Sequence, residues 1–128
     1  GAASGGVGVT RNRASARSAG TRFERSIADY LAHVFNDDRI DRRVKTGAKD
    51  RGDITGVRHR GRRIVLELKD VSRLDLSGWV KEAHIEAGND DALVGLVIHK
   101  RRGTQNPAEQ YVTCTLGDLV ALLTGERP

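Results

Sequence analysis

Seven consecutive residues, Ala92 to Ile98, carry no polar side chain, and this run constrains the fold more than any other stretch. It is far short of the roughly 20 apolar residues that cross a bilayer, so no membrane partner is expected. A strand that is apolar on both of its faces must be covered on both, which calls for helices above and below a sheet. Tyr111 to Thr115 reads as its neighbour, reached through the basic loop Lys100 to Pro107.

The rest of the chain supplies the layers. Phe23, Ile27, Tyr30, Leu31 and Val34 recur at helical spacing, and Thr21 followed by Glu24 fits a capping box that would open this helix. Asn36, Asp37 and Asp38 would end it. Three short strands are predicted at Arg39 to Lys45, Asp53 to Arg58 and Arg62 to Lys69, the last two joined at Arg60 and Gly61 as a hairpin. A second helix is predicted from about Ser77 to Ala87, with Leu76, Trp79, Val80 and Ala83 inward and Gly88 as its stop. Thr115 with Asp118 opens a last helix through Leu119, Val120, Leu122 and Leu123 to Gly125. The order is α-β-β-β-α-β-β-α, an α/β fold with a mixed β-sheet flanked by helices.

A chain of 128 residues holds one such domain. Residues 1–20, rich in Gly, Ala, Ser and Arg without apolar period, are expected to be a flexible basic arm, and residues 21–128 the single domain. Lys and Arg outnumber Asp and Glu by 22 to 17, a formal net charge of +5, which favours a polyanionic partner, nucleic acid first. The positive residues cluster. Arg11, Arg13, Arg17 and Arg22 stand in a segment without acids, a second group runs from Arg42 to Arg63 with Arg42, Arg43, Lys45, Lys49 and Arg51 as candidate phosphate contacts, and Lys100, Arg101 and Arg102 form a third. A solvated surface would account for any one of these clusters equally well. Cys114, the one cysteine, excludes an internal disulfide and points to a reducing cytoplasm. In an apolar strand it is expected to be a small core residue.

The chemistry concentrates on the hairpin. Alternation along Arg62 to Lys69 sends Arg63, Val65, Glu67 and Lys69 to one face, and Ile64, Leu66 and Leu68 to the other. Asp53, from the adjoining strand, can then converge with Glu67 beside the Lys69 ammonium. Two carboxylates plus substrate phosphate suffice to hold magnesium, and such a cation stabilises charge on a phosphate and acidifies water. Lys69 can orient that water or neutralise the developing charge. A bare Glu-x-Lys triplet arises by chance about once in a charged chain of this length. The Gly-Asp-Ile strand start one hairpin upstream is what adds meaning. Histidines 33, 59, 84 and 99 lack metal-ligand spacing, and Trp79 reads as packing rather than as a platform for a base.

Gly52-Asp53-Ile54 followed by Leu66-Glu67-Leu68-Lys69 resembles the PD-(D/E)XK nucleases, with Gly in place of the Pro. Gly20-Thr21-Arg22-Phe23-Glu24-Arg25 resembles the start of archaeal-type Holliday junction resolvases and their phage-encoded relatives. At the level of element order the resemblance spans about Gly20 to Gly125. It implies a restriction-endonuclease-like fold and a magnesium-dependent endonuclease, with manganese as an alternative ion. Asp53, Glu67 and the backbone carbonyl of Leu68 would bind the metal, Lys69 would serve the nucleophilic water, and Glu24 would complete the catalytic site. At about 100° per residue Glu24 lies about 20° from Leu31 and so faces inward. Thr46 and Gly47 would belong to a loop on the scissile strand. The helix after Lys69 lacks the Gln and Tyr common in exonucleases of the superfamily, and a solvated face accounts for Lys81 and Glu82.

The expected activity is cleavage of branched DNA, four-way junctions above all, by a homodimer in a bacterial or phage-infected cytoplasm, within DNA recombination and repair. A nicking or restriction-type endonuclease on duplex DNA shares the same core residues. A non-catalytic basic DNA-binding module is the alternative from another class.

Overall fold

The computed structural model describes residues 12–45, 47 and 49–128. The expectations for Arg11 and Thr46 lie outside the described residues. Among these residues the chain is a mixed α/β structure with three α-helices and a mixed sheet of six strands. In chain order the elements are α1 (Arg13–Phe35), β1 (Asp41–Arg42), β2 (Ile54–Thr55), β3 (Arg58–His59), β4 (Arg62–Lys69), α2 (Leu76–Asn89), β5 (Val94–His99), β6 (Tyr111–Thr113) and α3 (Leu116–Thr124), with a single 3-10 turn at Pro107–Glu109.

α1 starts about two turns before the expected position. Its cap is Asn12, whose side chain accepts from the Ser15 N–H at 2.8 Å, so Thr21 is helical and opens no capping box. Residues 13–20 are therefore helix rather than arm. Alanine and arginine favour helix intrinsically even where no apolar stripe marks it, and Ala19 is buried here. The inward face runs through Ala19, Phe23, Ile27 and Ala28, while Val34 at the far end is 54% exposed. Asn36 closes the helix in the left-handed region, its N–H on the carbonyls of Ala32 and His33.

The sheet order is β1-β2-β4-β5-β6, with β3 also paired to β4. β4 and β5 are parallel from Ile64↔Val94 to Lys69↔His99, and the other pairs are antiparallel. A parallel pair needs a crossover, and α2 is that crossover. The strand expected over Asp53 to Arg58 divides at Gly56 and Val57 into β2 and β3, and the one expected over Arg39 to Lys45 shortens to Asp41–Arg42. The β3–β4 hairpin turns at Arg60 and Gly61, both at positive φ, as a two-residue turn of the primed type requires.

β4 divides the molecule as its alternation dictates. Ile64, Leu66 and Leu68 join Phe23, Ile27, Ile54, Leu93, Val94, Ile98 and Ala121 in the main core under α1 and α3. On the opposite face Val65 packs with Ala87 and Ala92, and Val97 with Trp79 and Ala83. α2 lies so close to β5 that a Cβ on Gly95 would stand 2.2 Å from the Ala83 carbonyl oxygen. α2 begins at the Asp75 cap and runs past Gly88 to Asn89. Leu76 is 38% exposed rather than inward. α3 has the expected capping box of Thr115 and Asp118 and ends at Gly125, yet buries Ala121 while leaving Leu116, Leu119 and Leu123 exposed. Among the described residues no helix is long and apolar enough to cross a membrane.

Candidate active site

The site lies on the α2 side of the sheet, where the ends of β4 and β2 meet. Gly52 leads into it at φ +96, and a Cβ there would stand 2.9 Å from the Val65 side chain. Proline, with φ fixed near −65°, cannot take that backbone conformation, which explains why glycine precedes the acid. Asp53 follows with its N–H on the Leu66 carbonyl at 2.9 Å. Its carboxylate is buried, Oδ2 accepting from the Leu68 N–H at 2.8 Å and Oδ1 facing the Lys45 ammonium at 3.3 Å.

Glu67 is buried beside it. The Lys69 ammonium stands 3.4 Å from Glu67 Oε2. The structure thus brings together three of the residues singled out in sequence, Asp53, Glu67 and Lys69, and contributes Leu68 through its main-chain N–H, its side chain being in the opposite core.

Two further acids complete the cluster. Lys69 donates to both oxygens of Glu82 at 3.0 and 3.2 Å, so Glu82 belongs to the site although it lies on the exposed face of α2. Glu86, one turn further along α2, is only 2% exposed. One carboxylate oxygen from each of Glu67, Glu82 and Glu86 lies within 4.8 Å of the other two. Glu67 Oε1 and Glu86 Oε1 are shut off from solvent and have no hydrogen-bond partner. Glu86 was legible in principle: Trp79, Ala83, Glu86 and Ala87 share one helical face, and a lone acid inside an apolar stripe is a signal.

Electrostatics follow from this crowding. Burial pushes the Glu67 carboxyl far above the usual carboxylate range, and hydrogen bonding to Asp53 with the charges of Asp53 and Glu86 adds to it. Burial likewise raises Glu86, with Asp50 and Asp53 contributing. For Lys69 burial pulls downward, but the Glu82 hydrogen bond and the Glu67 charge outweigh it and hold the ammonium above its ordinary value. Lys45 is likewise raised, Asp53 outweighing burial. Crowding of this kind is relieved by protons held on the acids or by a hard divalent cation, whose preferred ligands are carboxylate oxygens.

Glu24 is not tied to these acids. Its Oε1 accepts from Arg42 Nε and Nη2 at 3.1 and 3.0 Å, and with the neighbouring Arg25–Asp41 pair it fastens α1 to β1. The helix does turn Glu24 toward the protein, as its phase implies, but the partner is a guanidinium.

Several of the expected phosphate-binding cations already have protein partners. Arg42 holds Glu24, Arg43 faces Asp90 at 3.5 Å, and Lys100 donates to the Arg101 carbonyl at 2.8 Å. Arg102 donates to the Val71 carbonyl at 2.9 Å, and Arg101 lies over the Tyr111 ring. Lys45, Lys49 and Arg51 line a cleft with Arg43, Gly47 and Asp50 beside the acids. Arg22, Lys100 and Arg102 line another with Asp70. Arg13 and Arg17 are exposed on α1.

Trp79 is buried and packs on His99, ring centroids 5.3 Å apart. His84 bonds Asp118 at 2.8 Å and His99 bonds Thr113 at 2.7 Å, so neither joins the acids. Cys114 is half-buried rather than in the core. Comparison with family models, with curated proteins and with solved structures gives no match to this chain.

Proposed function

We propose that the protein is a divalent-metal-dependent DNA endonuclease of restriction-endonuclease-like architecture, acting on branched DNA and above all on four-way junctions. The observation that carries this reading is the Glu67 carboxylate, buried between Asp53 and the Lys69 ammonium with one oxygen left without a partner. A buried acceptor without a donor is costly, and a bound cation removes that cost.

The residues fit magnesium: their donors are carboxylate oxygens, the ligands such an ion prefers. Asp53 and Glu67 would hold it, with the Leu68 main chain as the third ligand that the family resemblance implies. When bound, the ion supplies charge stabilisation at the scissile phosphate and acidifies water. The chain's own residues do the rest. The Leu68 N–H fixes the orientation of Asp53, so one carboxylate oxygen points in a single direction. Lys69, held between Glu67 and Glu82, is within reach of a nucleophilic water or a phosphate oxygen and can donate to either. Lys49 and Arg51, beside the cleft, supply positive charge for the substrate backbone.

Resolution of a four-way junction takes two opposed nicks, so this reading includes a homodimer. The exposed stripe Leu116, Leu119 and Leu123 on α3 is an apolar surface suited to a two-fold contact. The test is cleavage of labelled four-way junction, nicked duplex and plain duplex at one salt concentration, with and without magnesium. Junction-selective, magnesium-dependent cutting supports the proposal. Equal cutting of junction and duplex would make the protein a general nicking nuclease, and binding without any cutting would make it a DNA-binding module.

A further inference from the structure

We propose that Glu67, Glu82 and Glu86 form a divalent-cation site of their own on the α2 side of the acid cluster, adjoining the Asp53–Glu67 pair and sharing Glu67 with it. The proposal deepens the nuclease reading through that shared residue, but it concerns cation binding by the DNA-free protein.

Three observations converge. The first is spacing: one oxygen from each glutamate lies within 4.8 Å of the others. Ligands at about 2.3–2.6 Å from calcium stand up to about 5.2 Å apart across the ion, whereas magnesium at about 2.1 Å spans only about 4.2 Å. Oxygens this near one another are in range of a shared divalent ion.

The second is burial without a donor. Glu86 is 2% exposed, Glu67 5%, and the Oε1 atom of each lacks any hydrogen-bond partner. The face of α2 that carries Glu86 is otherwise Trp79, Ala83 and Ala87, where an apolar residue would serve packing better than a carboxylate.

The third is the company Glu86 keeps. The polar groups that act on it are acids: Glu67, Asp50 and Asp53. Among the described residues no lysine or arginine pairs with it, since Lys45 is taken by Asp53 and Lys69 by Glu67 and Glu82. Carboxylates crowded this way hold a proton between them or take up a cation in its place.

The site also gives Lys69 a second state. Its ammonium now bonds Glu82 at 3.0 Å, and a cation among the three glutamates competes for that same carboxylate. Cation binding therefore loosens Lys69 from α2 and frees it toward the substrate.

Calorimetric titration of the DNA-free protein with calcium alone, repeated with magnesium, tests this. Calcium is expected to bind wild type, and Glu86→Gln and Glu82→Gln are each expected to weaken binding about tenfold or more. Circular dichroism and thermal melts verify that Glu86→Gln folds; Glu82 is exposed, so Glu82→Gln keeps the test open if Glu86→Gln does not. Asp53→Asn separates the two sites. It is expected to retain one bound calcium, lost again in the Asp53→Asn/Glu86→Gln double variant. Wild-type affinity in both glutamate variants, or complete loss of binding in folded Asp53→Asn, overturns the proposal while leaving the nuclease reading intact. Calcium bound as expected by a protein that cleaves no DNA would overturn the nuclease reading and leave this site standing.

Discussion

The two faces of the sheet are built by alternate residues of one strand, yet they are different materials. Under α1 and α3, Ile64, Leu66 and Leu68 close a continuous apolar core with Phe23, Ile27 and Ile54. Under α2 the same strand contributes Val65, then Glu67, then Lys69, and the helix answers with Ala83 and Ala87 but also with Glu82 and Glu86. One face is closed by shape alone. The other packs on small residues at close range and leaves acceptors unmatched. Burying carboxylates costs stability, so the first face must supply what the second gives up.

The sharpest way to break this comparison is to change the acids. Asp53→Asn and Glu67→Gln are expected to lower magnesium-dependent cleavage by at least about 100-fold, since even groups supporting a metal ligand cost 10- to 100-fold, while DNA binding persists because phosphate contacts remain. Thermal melts should show neither variant less stable than wild type in the absence of metal. Cutting at the wild-type rate would remove these residues from the chemistry.

Next come the two packing modes. Leu66→Ala leaves a cavity in the apolar face and is expected to cost about 2–5 kcal/mol in denaturant unfolding. Gly95→Ala acts oppositely, forcing a methyl group toward the Ala83 carbonyl, and is expected to cost about 1–3 kcal/mol by overpacking. A neutral Gly95→Ala would mean that α2 can lift from the sheet without loss.

His84 on α2 and Asp118 on α3 join helices of opposite layers at 2.8 Å. Burial pushes Asp118 up, but hydrogen bonds from His84 and Thr115 outweigh it and hold the carboxyl below its usual range. A depressed folded-state pKa contributes stability above the unfolded value that is lost as pH falls through the folded one. Unfolding measured across the acid range should therefore show a loss that Asp118→Asn lacks.

Smaller effects are expected away from both faces. Glu24→Gln breaks a half-exposed pair with Arg42 and should cost under about 1 kcal/mol, with a far smaller loss of cleavage than Asp53→Asn. A loss equal to that of Asp53→Asn would bring Glu24 into the catalytic group. Removing Arg13 or Arg17 should lower the logarithmic salt slope of DNA binding by about 0.9 for each phosphate no longer neutralised, and an unchanged slope would leave the start of α1 off the DNA.

What could be read in sequence was whatever repeats with a period. The β4 alternation, the apolar run of β5, the Arg60–Gly61 turn and the Thr115–Asp118 capping box all stand in the structure as expected, because each is a local pattern with a local cause. The start of α1 was hidden because residues 13–20 have helix propensity but no stripe. Glu86 was hidden for the opposite reason: an apolar stripe is recognised by its apolar members, and Trp79, Ala83 and Ala87 enclose the acid. Gly56 divided a strand for want of any pattern announcing it. The pairing of Glu24 with Arg42 depends on how α1 crosses β1, which no short window of sequence contains.

The acids and lysines of the site all fall between Lys45 and Glu86, in the segment leading into β2, in β4 and in the crossover helix. Chain closure is cheapest between segments near each other in sequence, and structures dominated by such contacts form early. The charged cluster can thus assemble before α1 docks from one end of the chain and α3 from the other. Substitutions such as Val65→Ala or Ala87→Gly should slow refolding, whereas Phe23→Ala and Ala121→Gly should chiefly hasten unfolding. In a newly made chain, the costliest part of the molecule would be built first and secured last.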